Sequence, residues 1–292
     1  MIINQIVKGS GGGSAPLSLV YTDNAGVITK ASTPIDFTGA TTLSGGTLGY
    51  TFSYAFYGSS MTQTTVDMSQ ITSITGLFTC NHMYSRTNIT SVDLSSLSEV
   101  GASDSSGSSS YACSQMFAIC GSLVDIDLSG LTTVRGSRTM SFCFDRCTSL
   151  PSINLSSLST IEADYGFEKS FYGCTSLASA NFNSLTRASI YCFAQAFNGC
   201  TSLTSVSFPA LSSLLQRAFE YAFANCTSLS TLYFGGLTTT SFGSATNQFN
   251  GMLSGVTGCT VHFPAAIQGT IGSWSDVTAG FDGTNTTVLF DL

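Results

Sequence analysis

The stretch Cys200-Thr-Ser-Leu203-Thr-Ser-Val206-Ser-Phe208-Pro-Ala-Leu211-Ser-Ser-Leu214 decides how this chain is read, because its opening keeps returning. Cys-Thr-Ser-Leu recurs at Cys147, Cys174 and Cys226, each time with a Phe three residues ahead of the Cys. The step from Cys147 to Cys174 is 27 residues, and the next two are 26 each. A fixed period in the twenties with apolar residues at set offsets marks a solenoid, in which each coil contacts only its neighbours.

The apolar offsets of this unit reappear as Leu150, Ile153, Leu155, Leu158 and Ile161, and as Leu123, Ile126, Leu128, Leu131 and Val134. They recur at Leu177, Ala180, Phe182 and Leu185, and at Leu229, Leu232, Phe234 and Leu237. Two degenerate units precede them: Val92, Leu94, Leu97 and Val100 follow Ile89, and Val66, Met68, Ile71 and Ile74 follow Gln63. The junction before the block reads Phe56-Tyr-Gly-Ser59 at the front and Phe249-Asn-Gly-Met252 at the back. An irregular further segment surrounds Val256, Val261 and Phe263, and a Gly/Ser-rich insertion between Gly101 and Ser110 predicts a surface loop.

Leu-x-x-Ile-x-Leu alternates with period two, so each copy predicts a short strand with one inward face. Asp67, Asp93, Asp127, Asn154, Asn181, Ser207 and Tyr233 then fall in one outward column. Successive strands must pair in parallel, about 4.8 Å apart. In the second half of each unit, as in Arg217-Ala-Phe-Glu-Tyr-Ala-Phe223, aromatics lie four apart. That spacing suits a turn or two of helix, or a tight irregular return. The expected architecture is an α/β repeat: a solenoid of about seven to eight coils with parallel strands, capped at both ends. Residues 1–14 read as a flexible segment, 15–55 as an N-terminal cap, 56–263 as the repeats and 264–292 as a C-terminal cap. A hairpin around Leu17–Tyr21 and a plug at Trp274 are the expected capping devices.

Charged residues are only 9% of the chain and the net charge is −7. With nine Lys and Arg there is no basic stripe to displace counterions from phosphates, so nucleic acid is not an expected partner. No apolar run reaches the eighteen or more residues of a membrane-spanning helix. The first fourteen residues show none of the marks of a secretory signal, which implies either use without that export route or loss of a leader.

The pattern Phe-x-x-Cys-x-Ser-Leu-x-x-Ile-x-Leu-x-x-Leu-x-x-Ile resembles the BspA-type leucine-rich repeat of bacterial and some protist surface proteins. Met116-Phe-Ala-Ile-Cys120-Gly-Ser-Leu123 also resembles related repeats of mycoplasma surface proteins. The resemblance implies a leucine-rich-repeat solenoid, a surface or secreted location, and adhesion to host matrix proteins or other cells. It transfers no catalytic residue. A weaker likeness to accessory proteins of phage tails rests on the short start, the glycine joint and the single module.

Ten cysteines invite a disulfide framework, and stacked coils would lie within bridging distance. Yet Cys120, Cys147, Cys174, Cys200 and Cys226 occupy one place in successive coils, with Ser59 and Met252 standing in at the ends, which reads as a small buried packing site of reduced thiols. Structural zinc wants two tight ligand pairs, and only Cys143-Phe-Asp-Arg-Cys147 supplies one. Cys80 and His82 are two apart, the spacing that shares a face on a strand, but a partly exposed His in a degenerate repeat accounts for them as well. No nucleophile elbow, phosphate loop or dinucleotide fingerprint occurs. The expectation is therefore a non-enzymatic module without cofactor or metal, binding a protein or glycan. The outward column from Asp67 to Tyr233 is its candidate face, acidic in front and aromatic behind.

Overall fold

The protein, described by a computed structural model over residues 42–44, 52–101, 110–238, 247–268 and 281–292, is a β-solenoid of eight coils. Among the described residues each coil as far as Ser213–Leu214 contributes two short strands and one return. The Ile-x-Leu strands pair in parallel and in register: Thr65–Asp67, Ser91–Asp93 and Asp125–Asp127 form one ladder. Ser152–Asn154, Ser179–Asn181, Ser205–Ser207, Thr231–Tyr233, Thr260–Phe263 and Thr287–Phe290 form a second. A third, unbroken sheet of seven strands runs from Thr42–Ser44 to Ser213–Leu214 along the adjoining side.

The break between the first two ladders has a local cause. In neighbouring coils the residue before the strand donates its N–H backwards, as Val124 N does to Thr90 O at 2.9 Å and Ala178 N to Pro151 O at 2.8 Å. Pro151 occupies that place in its own coil and has no N–H to give.

The inward residues meet the expectation. Val66, Val92, Ile126, Ile153, Val206, Leu232 and Val261 are all buried, and the leucines beside them form one continuous core. Val261 and Phe263 lie in a regular strand, so the irregular eighth segment is a true coil. In the first coil the buried apolar side chain is Met61, whereas Gln63 is exposed.

Of the two expected forms of the return, the tight irregular one is found, so the helical half of the α/β repeat gives way. Among the described residues the one helical element is a 3-10 turn at Ala265–Ile267. Each return is instead a chain of tight turns with a left-handed residue at every fourth position, as at Tyr191 (φ 52°), Gln195 (53°) and Gly199 (78°). Its N–H groups alternate in direction. Phe193, Gln195 and Phe197 donate to Ala218, Glu220 and Ala222 of the next coil at 2.8 Å. The intervening Ala194, Ala196 and Asn198 donate three residues back, at 3.0–3.2 Å. Burial comes in pairs every four residues (Cys192-Phe193, Ala196-Phe197), a spacing that resembles a helix in sequence. Left-handed geometry costs a non-glycine residue about 1–2 kcal/mol, so a return holds its shape only between neighbours that satisfy its backbone.

Aromatic rows run the length of this core. Phe56, Tyr84, Phe117, Phe144, Phe171, Phe197 and Phe223 stack coil upon coil with centroids 4.8–5.9 Å apart. A second row, Phe182, Phe208, Phe234, Phe263 and Phe290, stacks at 5.3–6.0 Å. Each such pair adds about 0.5–1.5 kcal/mol beyond the area it buries.

The last strand, Thr287–Phe290, pairs with Thr260–Phe263 and extends the second ladder. The expected hairpin near Leu17, the insertion loop at 102–109 and Trp274 fall outside the described residues.

The register yields a direct comparison. Leu203 is fully buried between coils, while Ser207 sits on the outer face of the adjoining strand. Leu203→Asp should lose more than about 4 kcal/mol, the range of an unpaired charge placed in a core. Ser207→Asp should stay within about 0.5 kcal/mol of the parent. Equal melting curves for the two variants would show that the strand register is wrong.

Candidate functional site

The outward column stands in register within each ladder, with Asp67, Asp93 and Asp127 opposite one another in the first and Asn154, Asn181, Ser207 and Tyr233 in the second. Its front five members have a local task. Oδ1 of Asp67, Asp93, Asp127, Asn154 and Asn181 accepts the backbone N–H two residues on, at 2.8–3.2 Å. This Asx turn bends the chain from one strand towards the next, and only a short side chain with an acceptor oxygen makes it. The column ends in Tyr233 stacked on His262 (4.6 Å), whose Nδ1 lies 2.8 Å from Asp291 Oδ1. No Lys or Arg lies in this column or beside it in the strands, and Asp125 adds a fourth carboxylate.

The Cys80–His82 pairing is not formed. Cys80 is fully buried, whereas His82 is a left-handed residue of the return (φ 53°) whose half-buried ring stacks on Tyr54, at 4.5 Å, on the outer side of the coil. The rule that residues two apart share a face holds for strands and fails in this return. Burial, and then the nearby Arg86 guanidinium, push the His82 imidazole below its ordinary value.

The ladder thiols are free and buried. Sγ of Cys120, Cys147, Cys174, Cys200 and Cys226 donates to the carbonyl of Tyr84, Phe117, Phe144, Phe171 and Phe197 in the preceding coil, at 2.9–3.1 Å. The row continues to Thr87, whose hydroxyl also reaches the Tyr84 carbonyl at 2.7 Å, and to Ser59. At the other end the occupant is Val256, not Met252. Phe223 N bonds Met252 O, which sets Leu253 opposite Phe223 and Val256 opposite Cys226, while Phe249 stacks on Phe219 at 6.0 Å. The expected register of the last junction was therefore four residues out, although a small buried packing site is what the row proves to be. Among the described residues no three Cys, His, Asp or Glu side chains are grouped to hold a metal ion.

The return carries what the column lacks. Its left-handed positions project three rows of side chains outward. One row holds Phe78, Tyr111, Arg138, Tyr165, Tyr191 and Arg217: Phe78 stacks on Tyr111 at 5.0 Å and Tyr165 on Tyr191 at 4.8 Å. Arg138 lies over Tyr165 at 4.2 Å, and Arg217 over Tyr191 at 5.6 Å. The next row begins with Tyr54 and His82 and includes Phe142, with Lys169 Nζ 5.1 Å from its ring centroid, and Tyr221. In the third, Arg86 and Arg146 sit over Tyr57 and Tyr172 at 5.9 and 5.8 Å. Five of the seven basic residues among the described positions, and seven of the nine tyrosines, thus lie half-exposed on this one face. Sequence reasoning missed it because the positions follow from the four-residue turn period. The signal was a Tyr, Phe, His, Gln, Lys or Arg two and six places before each ladder aromatic.

A family model described as the BspA type leucine rich repeat region matches the chain in six copies, over residues 52–195 and 112–254. No curated protein sequence matches it. Among solved structures, the Treponema pallidum leucine-rich repeat protein TpLRR is similar at 19% identity and TM-score 0.39, over 77% of this chain and 87% of that one. The pneumococcal vaccine antigen PcpA is similar at 13% identity and TM-score 0.28, over 94% of this chain and 82% of that one. A leucine-rich cell surface protein of Faecalibacterium prausnitzii is similar at 15% identity and TM-score 0.28, over 87% and 84%.

The thiol row generates a pH dependence. Burial raises the Cys226 and Cys259 thiols from 9.0 to about 12, and Cys147, Cys174 and Cys200 rise well above that ordinary value for the same reason. A group that holds its proton more tightly when folded stabilises the fold below its unfolded value and loses that contribution as the pH climbs towards the folded one. For Cys226 that window runs from pH 9 to about 12. Melting temperature should accordingly fall steeply above pH 9, and Cys226→Ser, which keeps a donor, should make the slope shallower. Ellman's reagent at pH 8 should titrate the native thiols only as fast as the chain unfolds; a rapid stoichiometric reaction would refute the packing.

Proposed function

As the chain belongs to the BspA-type leucine-rich repeat family, we propose that it is a non-enzymatic adhesion module that works at a cell surface and engages its ligand through the return face of the solenoid. The observation that carries this reading is the segregation of side chains. Tyr and Arg, the residues that dominate binding hot spots, collect on the returns, while the strands present hydroxyls, amides and carboxylates engaged in their own turns. Rings held by their neighbours above and below give up little freedom when a ligand arrives, which favours affinity. The acidic strand column repels anions and leaves the other face to receive them. A solenoid suits an extended ligand, since contacts add up along its length. The ligand is a protein or a glycan of a host or neighbouring cell.

The test is a binding screen of the purified chain against matrix proteins, mucins and bacterial glycans. Tyr165→Ser with Tyr191→Ser should weaken any captured ligand by about tenfold or more, the loss typical of aromatic anchors. Asn154→Ser with Ser207→Asp, on the strand column, should leave binding unchanged. Loss through the strand pair alone would move the site to that column, and a uniformly blank screen would remove the proposal.

A further inference from the structure

We propose that the return face of the central coils holds a subsite for an acidic saccharide, with Gly199 as its floor, Arg146 and Lys169 as its cations, and Tyr172, Asn198 and Asn225 as its rim. This rests on the binding-module reading and goes further by naming the ligand chemistry.

The floor is Gly199, at a left-handed position (φ 78°) whose row elsewhere carries larger side chains. In the same outward row, Arg86, Ile119, Arg146 and Asn225 adopt φ between 54° and 61°, so side chains are tolerated there. A Cβ added to Gly199 would meet only Gly173 atoms, at 3.7 and 3.8 Å, which is ordinary contact. Gly251, two coils on in the adjacent row, is different: a Cβ there would strike the Tyr221 ring at 2.3 Å. Gly199 therefore leaves a gap in the row that contacts with its neighbours do not impose. A Cβ on Gly173 would lie 3.4 Å from Arg146 Cγ, so Arg146 leans across that position and ends over the Tyr172 ring. From Arg146 to Asn225 is three coil steps, about 14 Å, room for a saccharide lying along the solenoid axis.

The charges select an acidic ligand. Arg146 is 57% exposed, and its one carboxylate neighbour, Asp145, is 3.7 Å away with only 12% of its side chain exposed. Burial raises the Asp145 carboxyl, while Arg146 and Lys169 both draw it down, so the two cations face one sunken anion. Among the described residues Lys169 has no carboxylate within salt-bridge reach. By contrast Arg138 and Arg217 are tied to Glu168 and Glu220. The rim is planar and polar: Asn225 Nδ2 donates to Asn198 Oδ1 at 3.0 Å, leaving the Asn198 amide N–H groups for a ligand. Planar amides and guanidinium groups meet vicinal hydroxyls two at a time, and an aromatic ring meets the C–H face of a sugar. A protein partner would instead need an apolar pocket to bury an anchor side chain, and this stretch presents no aliphatic side chain at its floor or rim.

Affinity electrophoresis of the full chain through gels containing polygalacturonate, chondroitin sulfate or dextran separates the outcomes. Polygalacturonate or chondroitin sulfate should retard the protein and dextran should not. Arg146→Gln with Lys169→Gln should weaken retardation at least tenfold. Gly199→Asn, which fills the floor without changing charge and places there the residue that Asn225 already is one coil on, should weaken it as well, with a single cooperative melting transition retained. Arg187→Gln, an exposed cation on another side, should have no effect. Retardation by dextran, or equal sensitivity to Arg187→Gln, would overturn the inference. If neither acidic polymer binds but a matrix protein is captured in a Tyr191-dependent way, the saccharide subsite falls and the binding module stands; if nothing binds, both fall.

Discussion

Every level of this structure depends on backbone hydrogen bonds that run from one coil to the next. In the strands they are the parallel ladder, and in the returns every second N–H continues it, as from Phe193 to Ala218 and from Gln195 to Glu220. This spacing of about 4.8 Å leaves no freedom for a coil to shift, because a slip of one residue would turn each inward side chain outward. Equivalent residues are thereby stacked at a separation where rings touch face to face and a thiol reaches the carbonyl of the coil before it. The aromatic row and the cysteine row are consequences of that one spacing.

The same spacing accounts for a composition so poor in charge. Where another domain would wet its surface with Lys and Glu, this one has rows of hydroxyls that donate to the carbonyl of the equivalent residue one coil back. Ser98, Thr132, Ser159, Thr186 and Ser212 bond in this way to Thr72, Ser98, Thr132, Ser159 and Thr186 at 2.9–3.2 Å. A column of like charges at this separation would repel, whereas a column of hydroxyls adds a bond at each step. Cysteine at the buried row follows a related logic, since it is apolar enough for the core and still a donor.

The strands were legible in sequence because period two is a property of single residues: Ile153 and Leu155 are apolar, Asn154 is not, and the face follows. The return was legible only as one of two alternatives, a helix or a tight irregular return, because its period of four is shared by both. Phe219 and Phe223 are spaced as on a helix, and nothing in Arg217-Ala-Phe-Glu-Tyr-Ala-Phe223 announces left-handed Arg217 and Tyr221. That ambiguity also misplaced Met252, since Phe249 looks like a ladder aromatic until Leu253 is seen opposite Phe223. The outward column was found correctly as geometry. Its Asp and Asn serve the turns that follow them, which residue type alone does not reveal.

The two faces are therefore free in different degrees. On the strand side, the outward residues from Asp67 to Asn181 each accept the N–H two residues on, a task that Asp and Asn fill at the front of the column. On the return side the backbone asks only for a left-handed φ, and positions equivalent to His82 carry Gln115, Phe142, Lys169, Gln195 and Tyr221 without disturbing the coil. The cost of that φ falls on the backbone, so the choice of side chain is left open. A scaffold with a regular core and an unconstrained outer row is one in which recognition can be written on the returns while the strands keep the stack in register.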